Sequence, residues 1–146
     1  LTFQNSTIKH DMIDSYINFL TYLSYYFFQK QKHEISKSEF DEFTEEYIKR
    51  FNIYDLRKYF NPLYKTGLIK KNSFGFTEFS YDYVYYFFLG KYFSEKFEEE
   101  YQSIENIVDG LDEEENGNIC IFIAHHSKNI KFIELLISSL NTIFKN

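Results

Sequence analysis

The run Phe79-Ser80-Tyr81-Asp82-Tyr83-Val84-Tyr85-Tyr86-Phe87-Phe88-Leu89-Gly90-Lys91-Tyr92 constrains this chain more than any other stretch. Spacing predicts one helix from Tyr81 to about Phe97, in which Val84, Phe87, Phe88, Leu89, Tyr92 and Phe93 leave little polar face. A helix apolar nearly all round is normally central and buried, so other elements must cover it on more than one side. Ser80 is the expected N-cap, with Asp82 near the positive end of the dipole. Gly90 costs about 1 kcal/mol relative to alanine inside a helix, which points to close approach of another backbone there.

The covering elements can be read on both sides of this run. Upstream, Asp11 to Lys32 predicts a long helix with Ile13, Tyr16, Ile17, Leu20, Leu23 and Phe27 as its buried stripe, widened by Phe19, Tyr22, Tyr26 and Phe28. Ser36 or Ser38 caps a second helix running to about Phe51, with Phe40, Phe43, Tyr47, Ile48 and Phe51 inward. Asn52 breaks the pattern. A third helical stretch from Tyr54 carries Leu56, Tyr59, Phe60 and Leu63, and Pro62 is expected to kink or interrupt it. Gly67 suits a C-cap, and Leu68–Lys71, a turn at Asn72-Ser73 and Phe74–Phe79 read as a hairpin. Downstream, amphipathic stretches lie near Tyr101–Leu111, Asn118–His126 and Ile130–Phe144, with Asp112–Gly117 as an acidic, exposed connector. The expected fold is mainly α: a winged helix-turn-helix with a short β-hairpin wing over residues 1–80, and a helical-hairpin domain over 81–146 packed on it.

Composition narrows the function classes. Aromatic residues make up 22% of the chain, more ring surface than a small core needs, so some of it is expected to pack on another domain. A net charge of −6 argues against a protein whose main work is neutralising phosphates. The single cysteine, Cys120, excludes an internal disulfide framework and fits a reducing compartment. The apolar runs Tyr16–Phe28 and Tyr83–Gly90 fall short of the ~20 residues a membrane span needs. A chain opening at Leu1, with no initiator methionine and no targeting pattern, is expected to be a segment of a larger cytoplasmic protein.

Candidate chemistry is sparse. His125 and His126 are adjacent and point in different directions on a helix, and His10 and His33 lie elsewhere without ligand spacing, so no metal site is expected. Cys120 sits in the apolar run Ile119–Ala124 and reads as a core residue. There is no glycine-rich phosphate loop and no G-x-S-x-G, and the carboxylates of Glu98–Glu100 and Asp112–Glu115 read as solvated faces. The segment is expected to be no enzyme, with no catalytic residue and no cofactor of its own.

A winged helix also raises DNA binding, the alternative being a transcription regulator. Arg57, Lys58, Lys65, Lys70 and Lys71 would line its recognition helix and wing. Pro62 interrupts that helix, Phe74 and Phe76 make the wing aromatic, and the chain is acidic, so nucleic acid is disfavoured.

Ser15-Tyr16 at the first helix, the stretch Leu56–Lys71, the run Phe79–Tyr92 and Asn118–Ser127 together resemble the region that follows the NTPase core of bacterial STAND-class proteins, the signal-transducing NTPases related to the NACHT group. The run Phe79–Tyr92 is similar to that family's F-x-H-x-S-F-Q-E-Y-F-A-A-x-Y signature, in an aromatic form. The resemblance implies a conformational switch. The winged helix would close over ADP on the NTPase core of the same polypeptide, and ATP-linked activation would release it and permit oligomerisation, in many bacterial members for phage defence. The nucleotide-facing histidine of the family falls on Tyr81 and its glutamate on Tyr86. A tyrosine hydroxyl can still donate to a phosphate but brings no imidazole charge.

Overall fold

The computed structural model describes residues 7–144, with side chains from Ile13 onward except that of Tyr59. Within them the chain is mainly helical: α1 (Thr7–Lys30), β1 (Glu34–Ile35), α2 (Lys37–Phe51), a 3-10 turn (Leu56–Tyr59), α3 (Phe60–Lys65), β2 (Ile69–Lys71), β3 (Thr77–Phe79), α4 (Asp82–Glu95), α5 (Tyr101–Asp109), α6 (Glu114–His126) and α7 (Ile130–Phe144). The chain divides into two compact units, residues 1–85 and 86–146, and α4 contributes to both.

In the first unit the aromatic stripe of α1 meets that of α2. Phe19 is fully buried and meets Phe43, Tyr47 and Phe40 edge-on at centroid distances of 5.3, 5.1 and 6.1 Å. Edge-to-face contact sets the positive rim of one ring against the negative face of the next, so the rings contribute beyond their buried area. The Phe60 ring closes the cluster at 5.7 Å from Phe19. α1 stops at Lys30, two residues before the expected end, because Gln31 turns left-handed at φ 56°. Ser36 is the cap of α2: its Oγ accepts from the Glu39 amide, and the Glu39 carboxylate accepts from the Ser36 amide. Asn52, left-handed at φ 57°, ends α2.

Pro62 acts differently from expectation. It lies in the first turn of α3, where a missing amide costs little. The irregularity lies upstream, where Leu56–Tyr59 winds as a tighter 3-10 turn. Gly67, at φ 79°, then lets the chain leave α3 for the sheet.

The sheet has three strands, order β1-β3-β2, all antiparallel, with Ile35 opposite Thr77 and Ile69 opposite Phe79. The expected hairpin is thus joined by a third strand, Glu34–Ile35. Its connection is broader than the two-residue turn expected. Asn72 Oδ1 accepts from the amides of Phe74 and Phe76, and Gly75 sits at φ 80°. The helix order and the hairpin wing agree with the expected mainly α class.

Ser80 does not cap α4. Its amide donates to the Leu68 carbonyl and continues the sheet ladder, while the Tyr81 carbonyl accepts from Val84 and Tyr85. In the second unit α6 starts at Glu114 rather than Asn118, so four of the six residues of the expected acidic connector are helix. Glu114 and Glu115 stand in its first turn, where the helix dipole favours carboxylates. α5 packs against both α6 and α7. Ile104, Ile107, Val108, Ile119, Ile123 and Phe132 form the core of this unit, all buried.

Candidate functional site

Two tyrosines at the start of α4 form an exposed aromatic pair on the first unit. Tyr81, immediately before the helix, and Tyr83, within its first turn, are 59% and 61% exposed. Their rings stack at 5.5 Å with an interplanar angle of 15°. Residues two apart in a helix point to different sides; these meet because Tyr81 lies outside it. The pairing of Tyr83 with Tyr81 is therefore invisible to helical spacing. Phe74, at the tip of the wing, is 82% exposed. Stacked rings carrying hydroxyls offer an apolar face and a polar edge, which suits contact with protein or a polar ligand.

Tyr86, further along α4, behaves in the opposite way. Tyr86 is buried, so of Tyr81 and Tyr86 only Tyr81 presents its ring to solvent.

The basic residues are spread over three elements. Arg57 and Lys58 lie on the 3-10 turn, Lys65 at the end of α3, and Lys70 and Lys71 on β2. Three of the five have partners. The Arg57 guanidinium stands 3.9 Å from the Glu45 carboxylate, and Lys70 Nζ 3.4 Å from that of Glu78. Lys71 Nζ sits 5.3 Å from the centre of the Tyr64 ring. α3 itself is only six residues long, and an intact recognition helix in this place is not what the chain forms.

Among the described residues no cluster of histidine, cysteine, aspartate and glutamate is arranged to hold a metal ion; the side chain of His10 lies outside them. His126 Nε2 lies 2.9 Å from the Phe87 carbonyl and its ring packs edge-on against Phe87 at 4.6 Å. Cys120 is buried, and burial pushes its thiol up to about 12, far from a nucleophile's range. Burial likewise raises the Tyr26 and Tyr47 hydroxyls to about 12. No described helix is long and apolar enough to cross a membrane.

The family model described as Novel STAND NTPase 4 matches residues 33–89, and through that segment the chain is related to the STAND NTPases. The match runs from β1 through the wing to the middle of α4 and includes Tyr81 and Tyr83. No curated protein and no solved structure matches the chain.

Proposed function

We propose, taking the relation of residues 33–89 to the STAND NTPases as the premise, that this chain is a non-catalytic regulatory module of such a protein. In this reading residues 1–80 are a winged helix and 81–146 a helical domain. The module docks on the NTPase core of the same polypeptide, holds its ADP-bound resting state, and releases the core for ATP-linked assembly. Phage-defence signalling in the cytoplasm is the setting the family suggests.

The observation that carries this reading is the stacked, exposed Tyr81–Tyr83 pair inside the matched segment. Rings buried in the first unit stabilise the unit itself; this pair leaves most of its surface to solvent, as a surface kept for a partner does. Tyr81 occupies the position of the family's nucleotide-facing histidine, and its hydroxyl could donate to a phosphate oxygen or a polar group of the core.

The test compares two readouts of Tyr81→Ala. In the full-length protein the substitution should loosen the resting state and raise basal signalling output. In the isolated chain it should leave the melting temperature nearly unchanged. Unchanged basal output, or a melting loss as large as that of a core substitution, would show Tyr81 to be without a switch role.

A further inference from the structure

The second unit carries an apolar surface that its own fold leaves open. α7 turns Phe132 into the core and donates the Ser139 hydroxyl to the Val108 carbonyl at 2.8 Å, which fixes the face that meets α5. Away from that face run Ile130, Ile133, Ile137, Leu140 and Phe144, each between 39% and 80% exposed. Their spacing alternates three and four residues, the seam by which one helix packs along another. Sheet faces and irregular grooves do not select that spacing.

We propose that this seam pairs, antiparallel, with the same seam of a second copy of the chain, across a two-fold axis at Ile137. The sequence of the seam is nearly symmetric about that residue. Ile130 lies seven positions before it and Phe144 seven after, and Ile133 and Leu140 stand four before and three after. A two-fold rotation therefore lays apolar residues on apolar residues along the whole helix.

Charge permits the same pairing. The two charged residues of α7, Lys131 and Glu134, line a groove with Glu98 and Tyr101, and Lys131 Nζ lies 3.6 Å from the Glu98 carboxylate. The seam is thus uncharged, and two copies meet without the like-charge repulsion that blocks self-association on most surfaces. Side chains of this size, exposed to these extents, present on the order of 500 Å² per copy, so pairing removes about 1,000 Å² from water, the lower bound of specific interfaces. The dimer is accordingly a reversible one, with dissociation on the order of micromolar.

Sedimentation equilibrium on the 146-residue chain tests this. The wild-type chain should pass from monomer to dimer between about 1 and about 500 µM, a range that brackets such an affinity. Ile137→Glu, which sets two carboxylates face to face on the axis, should remain monomeric. An equimolar mixture of Ile137→Glu and Ile137→Lys should form the dimer again, which loss of folding alone could not produce. A wild-type chain monomeric throughout, a dimer that survives Ile137→Glu, or a mixture that fails to associate would each overturn the proposal. The first of these would assign the seam to a different helix.

Discussion

Gly90 of α4 lies directly against the backbone of Phe122 of α6. A β-carbon at Gly90 would stand 2.6 Å from the carbonyl carbon and the Cβ of Phe122, and 2.9 Å from the amide nitrogen of Ile123. Two of those atoms are main chain and cannot swing aside as a side chain can. Alanine gains about 1 kcal/mol of helix propensity over glycine, yet overpacking a close contact costs about 1–3 kcal/mol. Gly90→Ala should therefore lower stability, and Gly90→Leu should lower it further. Urea denaturation followed by circular dichroism reads both; a stabilised Gly90→Ala would show that the two helices separate without cost.

Glu39 gives the first unit a pH-dependent clasp. Hydrogen bonding from Lys32 at 2.8 Å, followed by the Ser36 amide, holds its carboxyl below the ordinary value of 4.5. A carboxyl depressed in the folded state contributes stability above its unfolded value and loses it as pH falls through the folded one. Glu39→Gln should then destabilise the chain at pH 7, with the difference from wild type shrinking below about pH 4.5. Ser36→Ala, which removes the other half of the capping box, should cost about 1 kcal/mol. Parallel melts at pH 7 and pH 3 check the pair, and a Glu39→Gln deficit that persists unchanged in acid would contradict the assignment.

What could be read from residues alone depended on local pattern. α7 spans Ile130–Phe144, as its apolar spacing predicts, and Gly90 lies at a close approach, as a glycine in an apolar helix suggests. Strand β1 escaped because two residues have no period; only pairing of Glu34 and Ile35 with β3 reveals it. The start of α6 was obscured because Glu114, Glu115, Asn116 and Gly117 carry no apolar stripe, although the acidic first turn is itself a helix signal. Ser80 has the composition of a cap but was claimed by the sheet, a tertiary preference outweighing a local one. At the candidate site Tyr81 was legible through its place in a motif. Its stacking on Tyr83 and the open face of α7 required the fold, since exposure cannot be read from an apolar residue's identity.

The basic residues of the wing region bear on nucleic acid. Arg57 and Lys70 face Glu45 and Glu78, and the whole chain carries a net charge of −6. Release of counterions from duplex DNA needs several cations presented together, and here the partners offset two of them. Binding to duplex DNA should be weak, indifferent to sequence and lost by physiological salt. Arg57→Ala and Lys65→Ala should leave it unchanged within error. A fluorescence-anisotropy titration decides the matter, and a sequence-selective complex at 150 mM salt, on the order of physiological ionic strength, that either substitution weakens would establish a DNA-binding surface instead.

His126 makes the second unit sensitive to mild acid. Its ring is packed on Phe87 and partly removed from water, and this desolvation holds its pKa below the ordinary 6.5. The Phe87 carbonyl, which favours the protonated ring, works against that shift, while His125 and Lys91 reinforce it and Glu95 opposes it. The folded state thus takes up a proton less readily than the unfolded chain does. A basic group lowered on folding supports the native state above its unfolded value, and that support declines as pH falls through 6.5 toward the folded value. Stability should therefore drop between roughly pH 7 and pH 5, the interval around the unfolded value over which an unfolded histidine gains its proton. His126→Gln keeps a donor for the Phe87 carbonyl but does not titrate, so its stability should be flatter across the same interval. Guanidinium denaturation at half-unit steps of pH separates it from wild type, and an equal slope in wild type and His126→Gln would place the proton uptake elsewhere.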